Sequence, residues 1–224
     1  MTEAEWLTCD GSADVLLQHL FKMCRPSQRQ LRLYVCAKCR HTRYLTASIA
    51  SARYLVDNRI AQQTIEVGER YADGAATEEE RLLAFEPTTR GLDGELAAYG
   101  DRSSALAARQ RLAARQCVVS RVSSSKLSSG EDEELDPQFR PAILLRDIFG
   151  NPFRPVAFSP AWRTSIVVAL AAQMYESRDF STMPILADAL QDAGCDNADM
   201  LDHCRGPGPH VRGCWVVDLV LGKE

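Results

Sequence analysis

The sequence predicts an all-α protein, built from two helical blocks that share a core and are joined by an Ala-rich, partly disordered connector. Three observations lead there. Apolar residues make up 46% of the 224-residue chain, enough for a packed interior. Over residues 1–85 they recur at helical spacing. In the last third, proline, asparagine and glycine stand where helices start and stop. The expected organisation is an N-terminal helical block over 1–85, a connector with a Ser/acidic-rich linker over 86–138, and a C-terminal helical block over 139–224. Each block alone is short for independent stability, hence the shared core.

The elements follow in order. Ser12 can cap "ADVLLQHLFKM", where Val15, Leu16, Leu20 and Met23 recur at helical spacing. Pro26-Ser27 breaks that helix and opens the next, "QRQLRLYVCAKCRHTRYL". A third helix covers Ala52 to Tyr71 and stops at Asp73-Gly74. Thr77 followed by Glu80 reads as a capping box opening "EEERLLAF". The pattern then weakens. "LAARQRLAARQ" is a local duplication with a thin apolar face. Residues 120–138 hold six serines in the ten from Ser120 and five acids in the six from Glu131, a flexible-linker composition.

Order returns with "PAILLRDIFG", a short helix stopped by Gly150. Phe149, Phe153 and Phe158 anchor the loop that follows, and Arg146 and Asp147 are expected to pair with each other. Pro160 suits the first turn of "AWRTSIVVALAAQMYESR", and Pro184 that of "ILADALQDAG", which ends at Gly194. Asn197 can cap "ADMLDHC". "HVRGCWVVDLVL" reads as a final helix, with strand the alternative because of its valines.

Charge is uneven. The whole chain carries −4, which argues against coating nucleic acid by bulk charge. Yet Val15 to Val56 carries eight Lys and Arg and no Asp or Glu. Arg25, Arg29, Arg32, Arg40 and Arg43 form its helical stripe, a candidate partner-binding surface for an acidic protein or for phosphates, with Tyr34 and Tyr44 able to stack on bases. The alternative is a solvated face paired with Glu66, Glu69 and Asp73 of the next helix. "MTEAEWLTCD" is acidic with no apolar run, unlike a signal or transit peptide. No stretch approaches the roughly 18 apolar residues of a membrane span. A cytoplasmic protein that does not engage membrane is therefore expected, its eight cysteines reduced.

The candidate metal ligands are Cys36, Cys39, Cys204, His210 and Cys214. Cys195-x8-Cys204-x5-His210-x3-Cys214 matches the intervals of a CCCH zinc finger with its last two ligand types exchanged. His210 and Cys214, four apart, would share one helix face. Cys36-x-x-Cys39 is a zinc half-site that Cys204, His210 or Cys214 could complete across the fold. The bland reading is that these cysteines are small apolar core residues. A Cys–His nucleophile would need thiol and imidazole about 3 Å apart. Asp202, His203 and Cys204 are consecutive, so they cannot all face one point on a helix. The chain has no G-x-S-x-G, H-E-x-x-H, phosphate-binding G-x-x-x-x-G-K or G-x-G-x-x-G.

Several blocks carry a family likeness: "MTEAEWL", "KMCRPSQRQLRLYVCAKCR", "EVGERYADG", "LLRDIFGNPFRP", "MPILADALQDAGCDN" and "HCRGPGPHVRGCWVVDLVLGK". Together they resemble a planctomycete-associated bacterial family with many paralogues and no established activity. The resemblance covers both ends of the chain and implies no catalytic residues. Family members often show Cys-Ala-Cys-Cys where this chain has Cys36-Ala37-Lys38-Cys39. The expected function is a non-catalytic interaction or adaptor module for a protein partner. The alternatives are a nucleic-acid-binding regulator using the basic segment 22–53 and a zinc- or thiol-dependent enzyme.

Overall fold

A computed structural model describes residues 1–9, 13–24, 26–41, 52–84 and 140–223. The expected connector over 86–138, the capping role of Ser12, and Arg25, Arg43 and Tyr44 lie outside these residues. The described elements are helical, with no strand among the described residues, as the all-α reading expects. The chain forms two compact units, one of Met1–Gln30 with Arg140–Glu224, the other of Leu31–Phe139.

The first unit begins with α1 (Glu3–Thr8). Thr2 and Glu5 form a reciprocal capping box, each side chain meeting the other's backbone N–H at 3.2 and 2.7 Å. A helix this short is not stable by itself; Trp6, fully buried, pins it. In α2 (Ala13–Met23) the core face is Ala13, Leu16, Leu17 and Leu20. Val15 and Met23, expected inside, point to solvent, because the buried stripe runs through Leu17 instead. Helix α3 (Gln28–Arg40) starts with Ser27 and Gln30 exchanging bonds of 3.1 Å, a second capping box.

After the undescribed stretch comes α5 (Pro141–Phe149), whose stop at Gly150 is doubly demanded. Gly150 adopts φ 66°, and a Cβ there would lie 3.2 Å from the Trp215 ring. Pro160 opens only a single 3-10 turn, Pro160–Trp162, rather than the long helix expected. Thr164 takes over as cap, its Oγ1 accepting from Val167 N–H, and α6 runs Ser165–Ser177. Helix α7 (Met183–Asp192) has Pro184 in its first turn, and α8 (Ala198–Arg205) is capped by Asn197, as expected. The terminal segment is helical only from Trp215 to Leu221, as α9; the strand alternative does not occur. Val167, Met174, Leu186, Leu190, Met200, Val216 and Val220 interlock these helices in one apolar core. Each such side chain contributes about 1.5–3 kcal/mol on burial.

The second unit holds the rest of α3, α4 (Ala52–Ala72) and a short helix over residues 78–84. The Thr77–Glu80 capping box forms as expected. Leu33, Tyr34, Cys36 and Ile65 are buried here, and the α3 stripe meets the α4 acids: Arg40 donates to Glu69 Oε1 at 2.9 and 3.1 Å.

Candidate metal centre

Four side chains from separate parts of the first unit converge: Asp147 near the end of α5, His203 in the last turn of α8, His210 in the following turn, and Cys214 at the N-cap of α9. Their ligand atoms all lie within 4.8 Å of one another. His210 Nδ1 is 2.7 Å and His203 Nε2 is 3.2 Å from the same carboxylate oxygen, Asp147 Oδ1. Cys214 Sγ is 3.2 Å from His203 Nε2 and 3.9 Å from His210 Nδ1. The second Asp147 oxygen accepts from the Val211 backbone N–H at 2.8 Å, which fixes the carboxylate.

Local sequence explains the convergence. Asn197 starts α8 in the phase that turns Met200, Leu201 and Cys204 inward and leaves His203 at the core edge. The chain then turns through Gly206–Gly208 and again at Gly213, φ 97°, before α9 begins. His210 and Cys214 therefore do not share a helix face, as the four-residue interval suggested. They meet because the turn closes Cys214 N–H onto Val211 C=O at 2.9 Å. Trp215 stands over His203, ring centroids 5.2 Å apart, and rests on Gly150.

The electrostatics follow from burial. Burial pushes the Asp147 carboxyl up, but hydrogen bonds and charge from His203 and His210 outweigh it and hold the group below its ordinary range. Burial, reinforced by the Asp147 charge, pushes the Cys214 thiol well above its ordinary value. The same causes push the Cys204 thiol up to about 12. These are the settings of protonated thiols rather than of free nucleophiles.

The geometry separates two chemistries. In a proton relay, thiol and carboxylate sit on opposite nitrogens of one imidazole. Here Cys214 and Asp147 address the same nitrogen, Nε2 of His203. Four donor atoms within 4.8 Å of one another have the spacing a coordination sphere needs. Zinc bond lengths of about 2.0–2.3 Å in a tetrahedron imply N–O edges of about 3.3 Å and N–S edges of about 3.6 Å. The observed N–S edges of 3.2 and 3.9 Å bracket the second value, while the N–O edges of 2.7 and 3.2 Å fall short of the first, at hydrogen-bond distance, so the carboxylate would move outward slightly to admit an ion. The donor set of one oxygen, two nitrogens and one sulfur suits zinc-class cations and not magnesium or calcium.

Of the residues nominated from sequence, His210 and Cys214 meet in this cluster. Cys204 is the neighbour of His203 but faces the apolar core. Cys36 and Cys39 are buried within α3, in the second unit, with Cys36 Sγ against Gly68. In the basic stripe, Arg29 pairs with Asp218, Arg40 pairs with Glu69, and Arg32 lies 4.5 Å over the Tyr71 ring. Sequence reasoning missed Asp147 and His203. Arg146 and Asp147 do not pair: Arg146 donates to the carbonyls of Trp6 and Cys9, on a different side of α5. His203 was legible as part of a polar run, but nothing local told its direction from that of Asp202. Among the described residues no helix is long and apolar enough to cross a membrane. No protein-family model, curated protein or solved structure matches this chain.

Proposed function

We propose that this protein is a non-catalytic interaction module whose larger unit is clamped by one zinc-class cation held by Asp147, His203, His210 and Cys214. The observation that carries the reading is the convergence of Asp147 Oδ1 and Cys214 Sγ on the same nitrogen of His203. Four protein donors complete a tetrahedral sphere, the pattern of structural rather than catalytic zinc. Burial agrees in part: the side chains of Asp147 and His210 are 2% and 7% exposed and Cys214 is fully enclosed, while His203 forms the outer edge at 20%. Four protein donors leave no fifth position for a substrate in a tetrahedral sphere. The metal would act by joining α5, α8 and the start of α9. The partner is a protein. The nucleic-acid alternative has less support, because Arg29 and Arg40 are committed to buried carboxylates.

The test is elemental analysis of protein purified without added metal, followed by thermal unfolding with and without chelator. One zinc per chain and a lower Tm on chelation are expected. Saturation at a thousand times Kd is worth about 4 kcal/mol. Near-zero metal, with unfolding indifferent to chelator and to added zinc, would sink the reading.

A further inference from the structure

Helix α5 faces two ways. Asp147 points to the cluster, while its neighbour Arg146 points to the N-terminal helix and donates through Nε to Trp6 C=O at 2.9 Å and through Nη2 to Cys9 C=O. Those carbonyls belong to the last turn of α1 and its C-cap, where backbone acceptors lack intrahelical partners. The residues after α5 continue the alternation. Gly150 lies under Trp215, which stands over His203. Asn151 Nδ2 donates to Glu3 Oε1 at 2.7 Å, and Arg154 Nε reaches the same oxygen at 2.6 Å. Phe153 stacks on His19 of α2, centroids 5.1 Å apart. One stretch, 146–154, thus holds the cluster and its roof with two residues and the N-terminal segment with four.

From this we infer that metal occupancy and the docking of α1 are linked through residues 146–154. The inference rests on the metal reading above. Without the ion, Asp147 is held by two imidazole N–H groups and one backbone N–H, bonds that any displacement of α5 can lengthen. With the ion, coordination ties Asp147 directly to α8 and α9 and fixes α5 in the position that presents Arg146 and Asn151 to α1. Linkage is reciprocal, so loosening α1 must weaken metal binding by the factor that metal strengthens docking.

The experiment is hydrogen exchange on the full chain, zinc-loaded and chelator-treated, with zinc stoichiometry measured on the same samples. It reads the α1 amides, Trp6 to Thr2 C=O and Cys9 to Glu5 C=O, and the α7 amides as a reference. Zinc loading should slow α1 exchange by about fivefold or more. In Arg146→Ala, and in Glu3→Ala as a surface variant that spares the core, zinc should still bind at one per chain and α7 exchange should match that of the wild type. Protection of α1 should then fall below twofold, with zinc affinity reduced by the matching factor. Wild-type protein that carries one zinc and yet shows α1 exchange indifferent to it overturns the linkage alone. No zinc bound overturns the metal reading and the linkage with it.

Discussion

Three carboxylates are buried among the described residues, and two of them differ from the third in which groups donate to them. Asp218 receives two guanidinium bonds from Arg29, at 2.6 and 3.0 Å, and Glu69 receives two from Arg40. Asp147 receives imidazole N–H groups instead, beside a thiol. Burial of an ionised carboxylate is costly in all three places. Arginine does not give up its proton, so the first two pairs are chemically closed. Imidazole and thiol protons can all leave when a metal arrives, so only the third arrangement is exchangeable. A buried acid is thus poor evidence of function by itself; the exchangeability of the donors that satisfy it is what distinguishes a candidate site from a structural pair.

Substitutions can break this contrast, and the largest effect is expected at the exchangeable carboxylate. Asp147→Asn keeps the shape but supplies a weaker, uncharged donor and presents N–H where acceptors are needed. Zinc affinity should fall at least 100-fold, and the unfolding free energy should drop by about 3–5 kcal/mol, the range for breaking a buried charged network. Titration with a competing chelator and urea unfolding would measure both; zinc binding at wild-type strength would remove Asp147 from the site. Glu69→Gln comes next. It strands Arg40, whose side chain is 24% exposed, so solvent screening reduces the cost to about 2 kcal/mol. Zinc content should not change, and a loss of zinc here would erase the distinction between the two kinds of carboxylate. The smallest effect is expected for Gly150→Ala, which adds a Cβ at positive φ and against Trp215. A destabilisation of about 1–2 kcal/mol is expected by urea unfolding, with bound zinc retained.

Much of the fold was legible because its signals are local. Asn197 at a cap, Pro184 in a first turn, and Gly150 and Gly194 past helix ends act through neighbouring backbone groups, whatever the rest of the chain does. Failures came where two local options compete. Pro160 could open a long helix or one 3-10 turn, and the Thr164 cap decided it. Trp6 stood in a short acidic segment with no periodicity to read; its ring lies beside His19 of α2 and its carbonyl accepts from Arg146 of α5, contacts that only the packed chain supplies.

The candidate site divides in the same way. His210 and Cys214 could be nominated because both ligand types sit close together in one turn. Asp147 lies 63 residues before His210, and its orientation depends on how α5 packs. The cysteines in the Cys-x-x-Cys interval, the strongest motif by spacing, are both buried within a helix. The sequence by itself determined the helical class, most helix ends and two of the four converging donors, since caps, turns and periodicity act over a few residues. Only the tertiary structure decided which acid is met by imidazoles and which by arginine. That choice depends on which helix faces are buried together within each unit, and burial is a property of the packed chain.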